Sequence, residues 1–141
     1  MTDRLTPKHR SENMRRIRSR DTSPEMAVRR LAHKMGFRFR LHVAELPGKP
    51  DLVFPRLRRI IEVRGCFWHQ HPGCIDSHIP KTRISYWKPK LSRNQERDEE
   101  NLRKLRRLGW KVLAIWECEV RNRKKLSSRL ERFLDHRHAP S

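Results

Sequence analysis

Apolar and polar positions alternate along the chain in patterns that mark out a small number of elements. Val28, Leu31, Ala32 and Met35 recur at i, i+3, i+4 and i+7, the stripe of a helix that buries one face. Ser23-Pro24-Glu25 supplies its start: a cap, a proline in the first turn and an acid against the helix dipole. Gly36 supplies a left-handed stop. Phe37 to Val43 then alternates with period two, as a half-buried strand does. After the turn Leu46-Pro47-Gly48-Lys49-Pro50 comes a short strand, Asp51 to Phe54, ended by Pro55. Arg58 to Val63 is the next strand, and the few residues between them predict an antiparallel hairpin. Leu91 to Leu108 reads as a long helix ended by Gly109. Trp110 to Trp116 is a strand whose nearly continuous apolar run predicts a central place in the sheet. Leu126, Leu130, Phe133 and Leu134 give a last amphipathic helix. Upstream, Thr6-Pro7 predicts a first helix, with Met14 and Ile17 on one face.

These elements make an α/β (α+β) chain, a sheet flanked by helices, expected as one domain over residues 1–141 with a basic arm at 1–22 and a flexible tail at 136–141. Composition points toward one class of partner. Lysine and arginine total 35 against 16 acids, a net charge of +19, with mean hydropathy −0.97. Such an excess favours a polyanion, and so nucleic acid, over an acidic protein substrate. No apolar run is long enough to cross a membrane, and the first residues lack the apolar core of a signal peptide. A cytoplasmic location is therefore expected. In a reducing compartment three cysteines suit metal ligation or burial better than disulfides. The arm, with Arg10, Arg15, Arg16, Arg18 and Arg20 around Met14 and Ile17, is open to two readings. It docks two apolar residues on the core, or it lies on DNA and presses an apolar side chain against a base step.

Candidate chemistry begins with Pro50-Asp51, ten intervening residues, then Glu62-Val63-Arg64. In a hairpin Asp51 and Glu62 can lie side by side, and period two puts Glu62 and Arg64 on one face. Two carboxylates beside a cation suit Mg²⁺ and a scissile phosphate; the plainer alternative is a same-face ion pair. Glu62 interrupts an apolar strand, where an acid needs a partner. Arg64 cannot accept a proton, so its use there is to hold phosphate or stabilise developing charge.

Directly after this strand, Cys66, His71 and Cys74 fall within nine residues, and Cys118 follows the later apolar strand. Three cysteines and a histidine make the closed tetrahedral set of a structural zinc ion. His69 and His78 are alternatives at the histidine position. If His71 is the ligand, His69 is left near the Glu62 strand as a candidate general base. Phe67-Trp68 and Tyr86-Trp87 are core plugs or base-stacking wedges.

Gly65-Cys66-Phe67-Trp68-His69, then His71, Cys74, Tyr86-Trp87, Asn94, Arg97-Asp98, Leu108-Gly109-Trp110 and Ile115-Trp116-Glu117-Cys118 resemble the very-short-patch-repair (Vsr) mismatch endonucleases. Arg10-Ser11-x-Asn13-Met14 and Leu46-Pro47-Gly48-x-Pro50-Asp51 extend the resemblance, which runs from about residue 9 to residue 134. It implies a fold like the PD-(D/E)xK restriction nucleases with a central mixed sheet and a structural zinc. It implies Mg²⁺-dependent nicking of one strand of double-stranded DNA at a T:G mismatch, by a monomer, with mismatch-repair accessory proteins as possible partners. On these positions, Asp51 and the backbone carbonyl of Val63 would hold Mg²⁺, with Glu62 as an additional ligand. His69 would be the base and Glu25 a supporting acid. Cys66, His71, Cys74 and Cys118 would hold zinc. Phe67, Trp68 and Trp87 would open the duplex from the major groove, with Tyr86 beside them and Met14, Arg15 and Ile17 on the minor-groove side. Glu62 and Arg64 depart from the family, where an apolar residue and His or Asp are usual. Two other readings stay open: the same nuclease with a different DNA target (restriction, defence or a mobile element), and a zinc-stabilised DNA-binding module without catalysis.

Overall fold

A computed structural model describes residues 22–135; the expected arm with Met14, Arg15 and Ile17, and the expected tail, lie outside them. The elements in order are α1 (Ser23–Lys34), β1 (Arg40–Leu41), β2 (Leu52–Phe54), β3 (Arg59–Arg64), α2 (Ile84–Arg107), β4 (Lys111–Trp116), α3 (Glu117–Val120) and α4 (Arg123–Leu134). They form a mixed α+β structure with a four-stranded sheet in the order β1-β2-β3-β4.

The hairpin is the frame. β2 pairs antiparallel with β3, Leu52 opposite Ile61 and Val53 opposite Ile60. β4 runs parallel to β3 from Arg59–Lys111 to Arg64–Trp116, so both strands end together where the chemistry-bearing residues follow. A parallel neighbour requires a crossover, and α2 supplies it. One face of the sheet buries Leu52, Phe54, Ile61 and Ile115 against Val28 and Ala32 of α1, and against Leu126, Leu130 and Leu134 of α4. The other face packs Val53 and Ile60 on Leu105 and Trp110.

Four expectations are corrected. The predicted strand Phe37–Val43 shrinks to Arg40–Leu41, because Phe37 and Phe39 turn onto the core and His42 adopts a left-handed backbone, φ +46°. The cap of α1 is Thr22, whose Oγ1 accepts from the Glu25 amide at 3.4 Å, and Ser23 is already helical. The long helix starts at Ile84 rather than Leu91, carrying Pro89 inside it. A proline there costs about 3 kcal/mol. Burial of Leu91 contributes about 1.5 to 3 kcal/mol and the larger Trp87 at least as much, which outweighs it. Finally, β4 is an outer strand among the described strands, not a central one. Its apolar run reflects helices on both faces, which is a separate matter from how many strands flank it.

Candidate active cleft and metal centre

Asp51 stands just before β2, opposite Glu62 by the hairpin register. Its Oδ2 accepts the Val63 amide at 2.8 Å, which fixes the carboxylate against the end of β3. Glu25, in the first turn of α1, is 3% exposed and is held by Arg29 Nη2 at 3.0 Å. The imidazole of His42 lies between the two acids, with Nδ1 3.7 Å from Asp51 Oδ1 and Nε2 3.5 Å from Glu25 Oε1. Arg29 Nη2 is also 3.0 Å from His42 Nε2. A guanidinium only donates, so Nε2 accepts and Nδ1 carries the proton, facing Asp51. The left-handed turn at His42 and its amide bond to the Asp51 carbonyl, 3.1 Å, fold the ring back to this position.

Glu25, His42 and Asp51 each offer a donor atom within 4.8 Å of the others. Burial raises the Asp51 carboxyl to about 8; the Val63 amide opposes that, and nearby Glu25 and Glu62 add to it. Clustered half-buried carboxylates of this kind are relieved by a cation, and the oxygen-rich set fits a hard divalent ion.

The structure does not bring Glu62 into that group. Its carboxylate pairs with Arg64 Nη2 at 2.9 Å, the same-face pair that strand alternation allows. Arg64 lies 5.7 Å from the ring of Trp116.

Asp51, Glu62, Arg64, His69, Arg97 and Asp98 all line one cleft of about 830 Å³. Across it, His69 Nδ1 is 2.5 Å from Asp98 Oδ2. The carboxylate holds the proton on Nδ1 and so leaves Nε2 as the basic nitrogen. Asp98 reaches the site from α2, and on the same helix the buried Asn94 donates to the Trp68 carbonyl at 3.2 Å, tying down the loop that carries His69.

Behind the cleft, Cys66, His71, Cys74 and Cys118 bring their donor atoms within 4.8 Å of one another. His69 is engaged by Asp98 and His78 is outside the group, so His71 takes the histidine position. His71 Nδ1 is 3.7 Å from Cys66 Sγ and 3.4 Å from Cys118 Sγ. A tetrahedral ion with bonds of about 2.3 Å to sulfur and about 2.0 Å to nitrogen sets that separation near 3.5 Å, so the set fits zinc. Burial pushes the Cys66 thiol up to about 12 and raises that of Cys118 as well. The His71 ring stacks on Trp116 at 4.2 Å, and Glu117 Oε1 accepts from the Cys66 amide at 3.3 Å while also lining the cleft. The knot and the cleft therefore share a wall.

The aromatic residues divide. Trp68 and Trp87 are buried with Leu91, their centroids 5.6 Å apart, and Phe67 packs edge-on against both. Of the four, Tyr86 is the exposed member, at 48%, with Lys90 Nζ 5.4 Å from its ring.

Two functional candidates escape the sequence reading. His42 sits on the polar side of a period-two stretch and gives no sequence signal, because its place depends on the turn that ends β1. Asp98 does leave one: it is an acid on the apolar face that Leu91, Leu102 and Leu105 mark out.

Residues 2–74 match the family model described as DNA mismatch endonuclease Vsr. The chain is 47% identical over 135 residues to the type II nicking enzyme V.XorIIP of Xanthomonas oryzae pv. oryzae, covering 96% of this chain and 98% of the relative. It is 44% identical over 118 residues to the DNA mismatch endonuclease Vsr of Escherichia coli K12, covering 84% and 75%. It is 39% identical over 134 residues to the type II nicking enzyme V.NmeAIP of Neisseria meningitidis, covering 95% of each. A carboxylate–histidine cleft built on a basic chain, backed by a Cys₃His knot, is thus found in a sequence that belongs to the Vsr family of DNA mismatch endonucleases, and the chain is a DNA endonuclease.

Proposed function

We propose that the chain nicks one strand of duplex DNA at a T:G mismatch, with Mg²⁺ in the cleft and zinc in the Cys₃His knot. The observation that carries this reading is the meeting of two groups across one cleft: Asp51 grouped with Glu25 and His42, and His69 oriented by Asp98. Asp51, with the Val63 carbonyl and Glu25 nearby, would hold Mg²⁺, which polarises a phosphate oxygen and lowers the pKa of attacking water. His69 would take a proton from the attacking water on Nε2 as the water oxygen bonds phosphorus and the P–O bond to the leaving deoxyribose oxygen breaks; Asp98 would stabilise the imidazolium, which returns the proton to that oxygen. Arg64 contacts the phosphate and steadies the charge that develops on it; Glu62 aims Arg64 and serves as a positioning residue. His42 faces Asp51 with Nδ1 3.7 Å from Oδ1, too far for a direct hydrogen bond, and would bias the carboxylate electrostatically. Cys66, His71, Cys74 and Cys118 would hold zinc and so pin the loop from Cys66 to Cys74, and with it His69.

The restriction-nuclease-like architecture belongs to the same proposal. It is supported by an antiparallel β1-β2-β3 meander continued by a parallel β4. Phe67 and Tyr86 are the side chains best placed to meet a base step; Trp68 and Trp87 would serve as their buried backing.

Nicking of T:G, other mismatched and fully paired duplexes by purified protein tests the assignment. Preference for T:G supports it, and equal cutting of paired DNA overturns the repair role. A second reading, nicking at another target, is favoured by the relatives named as type II nicking enzymes and by the Glu62–Arg64 pair. Cutting of unmodified duplex at a defined sequence would select it.

A further inference from the structure

At the other end of the sheet lies a second groove, of about 760 Å³, sharing no residue with the cleft. It is formed by the start of β3, the first half of β4 and the outer side of α4. Six cationic residues line it, Arg59, Lys111, Lys124, Lys125, Arg129 and Arg132, and its lining contains no acid. Arg59 is structural: its guanidinium donates to the carbonyls of Phe133 and Leu57 at 3.3 and 3.1 Å. Arg129 pairs with Glu119. The other four are exposed and have no ion-pair partner among the described residues.

Four unpaired cations around one groove repel one another. Like charges so arranged are stabilised by a polyanion, which releases its own counterions on binding. Leu113 and Phe133 supply a short apolar floor, which suits the sugar edge of a strand. From Arg59 to Arg64, β3 rises about 17 Å, so phosphates seated at the cleft are not those seated here. We infer that this groove is a second DNA-phosphate site, gripping a stretch of backbone outside the nicked one, with Lys111, Lys124, Lys125 and Arg132 as the contacts. The inference rests on the chain acting on DNA and adds a second footing for it.

The test compares wild type with the triple variant Lys124→Gln/Lys125→Gln/Arg132→Gln, and separately with Lys111→Gln, on a hairpin duplex of about 6 base pairs around the nick site, which extends about 10 Å to each side and stops short of the groove, and on one of about 40. Binding is followed as a function of salt. With three phosphate contacts removed, the slope of log K against log salt on the long duplex should fall in magnitude by about 2 to 3, and affinity near physiological salt should drop about tenfold or more. Lys111→Gln should lower the slope by about 1. On the short duplex, binding and nicking rate should match wild type, which also shows that the variants fold. An unchanged slope on the long duplex overturns the proposal. Equal losses on both lengths overturn it too, since they indicate a diffuse field rather than a site. Unchanged DNA binding with lost affinity for a polyglutamate peptide would assign the groove to an acidic protein segment instead, and is a third refuting result. Failure of wild type to nick the short duplex would tell against the cleft assignment and leave the groove comparison intact.

Discussion

Replacing Asp98 by asparagine removes one charge and leaves the shape. The His69–Asp98 contact is 2.5 Å, with side chains 31% and 21% exposed, so it is a charge-assisted hydrogen bond in a partly screened setting. Such bonds contribute about 1.5 to 3 kcal/mol. In the resting state much of that only orients the ring. With His69 as the proposed base, the carboxylate stabilises the imidazolium as it forms, so the loss falls on the transition state, and about 1.5 to 3 kcal/mol corresponds to a rate decrease of about 10- to 150-fold. The introduced amide can also turn its NH₂ toward Nδ1, which favours the tautomer protonated on Nε2 and removes the base outright. Single-turnover nicking of a T:G duplex should therefore slow by at least about tenfold for Asp98→Asn, with DNA affinity unchanged. The double variant Asp98→Asn/His69→Ala should be no slower than His69→Ala alone, because the carboxylate acts through that ring. Asp98→Asn nicking within about threefold of wild type, or additive losses in the double variant, would refute the orientation role.

Asp51 makes stability depend on pH. Its carboxyl is raised from 3.8 to about 8, so the folded, metal-free protein holds a proton that the unfolded chain has released. The stabilisation from this group is complete below pH 3.8 and is lost as pH rises through about 8. Melting temperature without metal should fall across that window more steeply in wild type than in Asp51→Asn, and Mg²⁺ should reverse the fall; parallel curves for the two proteins would contradict the assignment. Metal analysis should find one zinc per chain, and Cys74→Ser should lower the melting temperature by about 10 °C or more, whereas an unchanged melting curve would make the knot incidental. Glu62→Gln should reduce nicking by no more than about tenfold and weaken DNA affinity in step with Arg64→Gln, since it acts by aiming Arg64; a loss as deep as that of Asp51→Ala would make Glu62 a metal ligand after all.

The elements legible in the sequence are those set by local rules. The hairpin of β2 and β3 follows from two apolar runs a few residues apart, and the amphipathic helices from their 3.6-residue stripes. The Cys66, His71, Cys74 and Cys118 set is legible because four ligand-type residues rarely gather by chance. What stays hidden depends on long-range packing. Pro89 sits inside α2 because Trp87 and Leu91 are buried against Trp68 and Phe67 of the loop between Cys66 and Cys74. β4 reads as central because its side chains are covered on both faces, while its place in the sheet is decided by hydrogen bonds that hydrophobicity does not encode. Aromatic pairs next to basic residues suggest exposed wedges, yet Trp68 and Trp87 fill a small core of their own. His42 is the clearest case: strand alternation assigns it to solvent, and a single left-handed residue turns it between Glu25 and Asp51.

Asp51 is proposed to anchor a divalent ion that drives strand nicking at a mismatch. Calorimetric titration of Mn²⁺ or Mg²⁺ into wild type and Asp51→Ala, run beside nicking of T:G and fully paired duplexes, addresses it directly. Wild type should bind the ion and nick T:G selectively, and Asp51→Ala should do neither while keeping its zinc and a cooperative melting transition. Nicking by Asp51→Ala at the wild-type rate, or ion binding that survives the substitution, would contradict it.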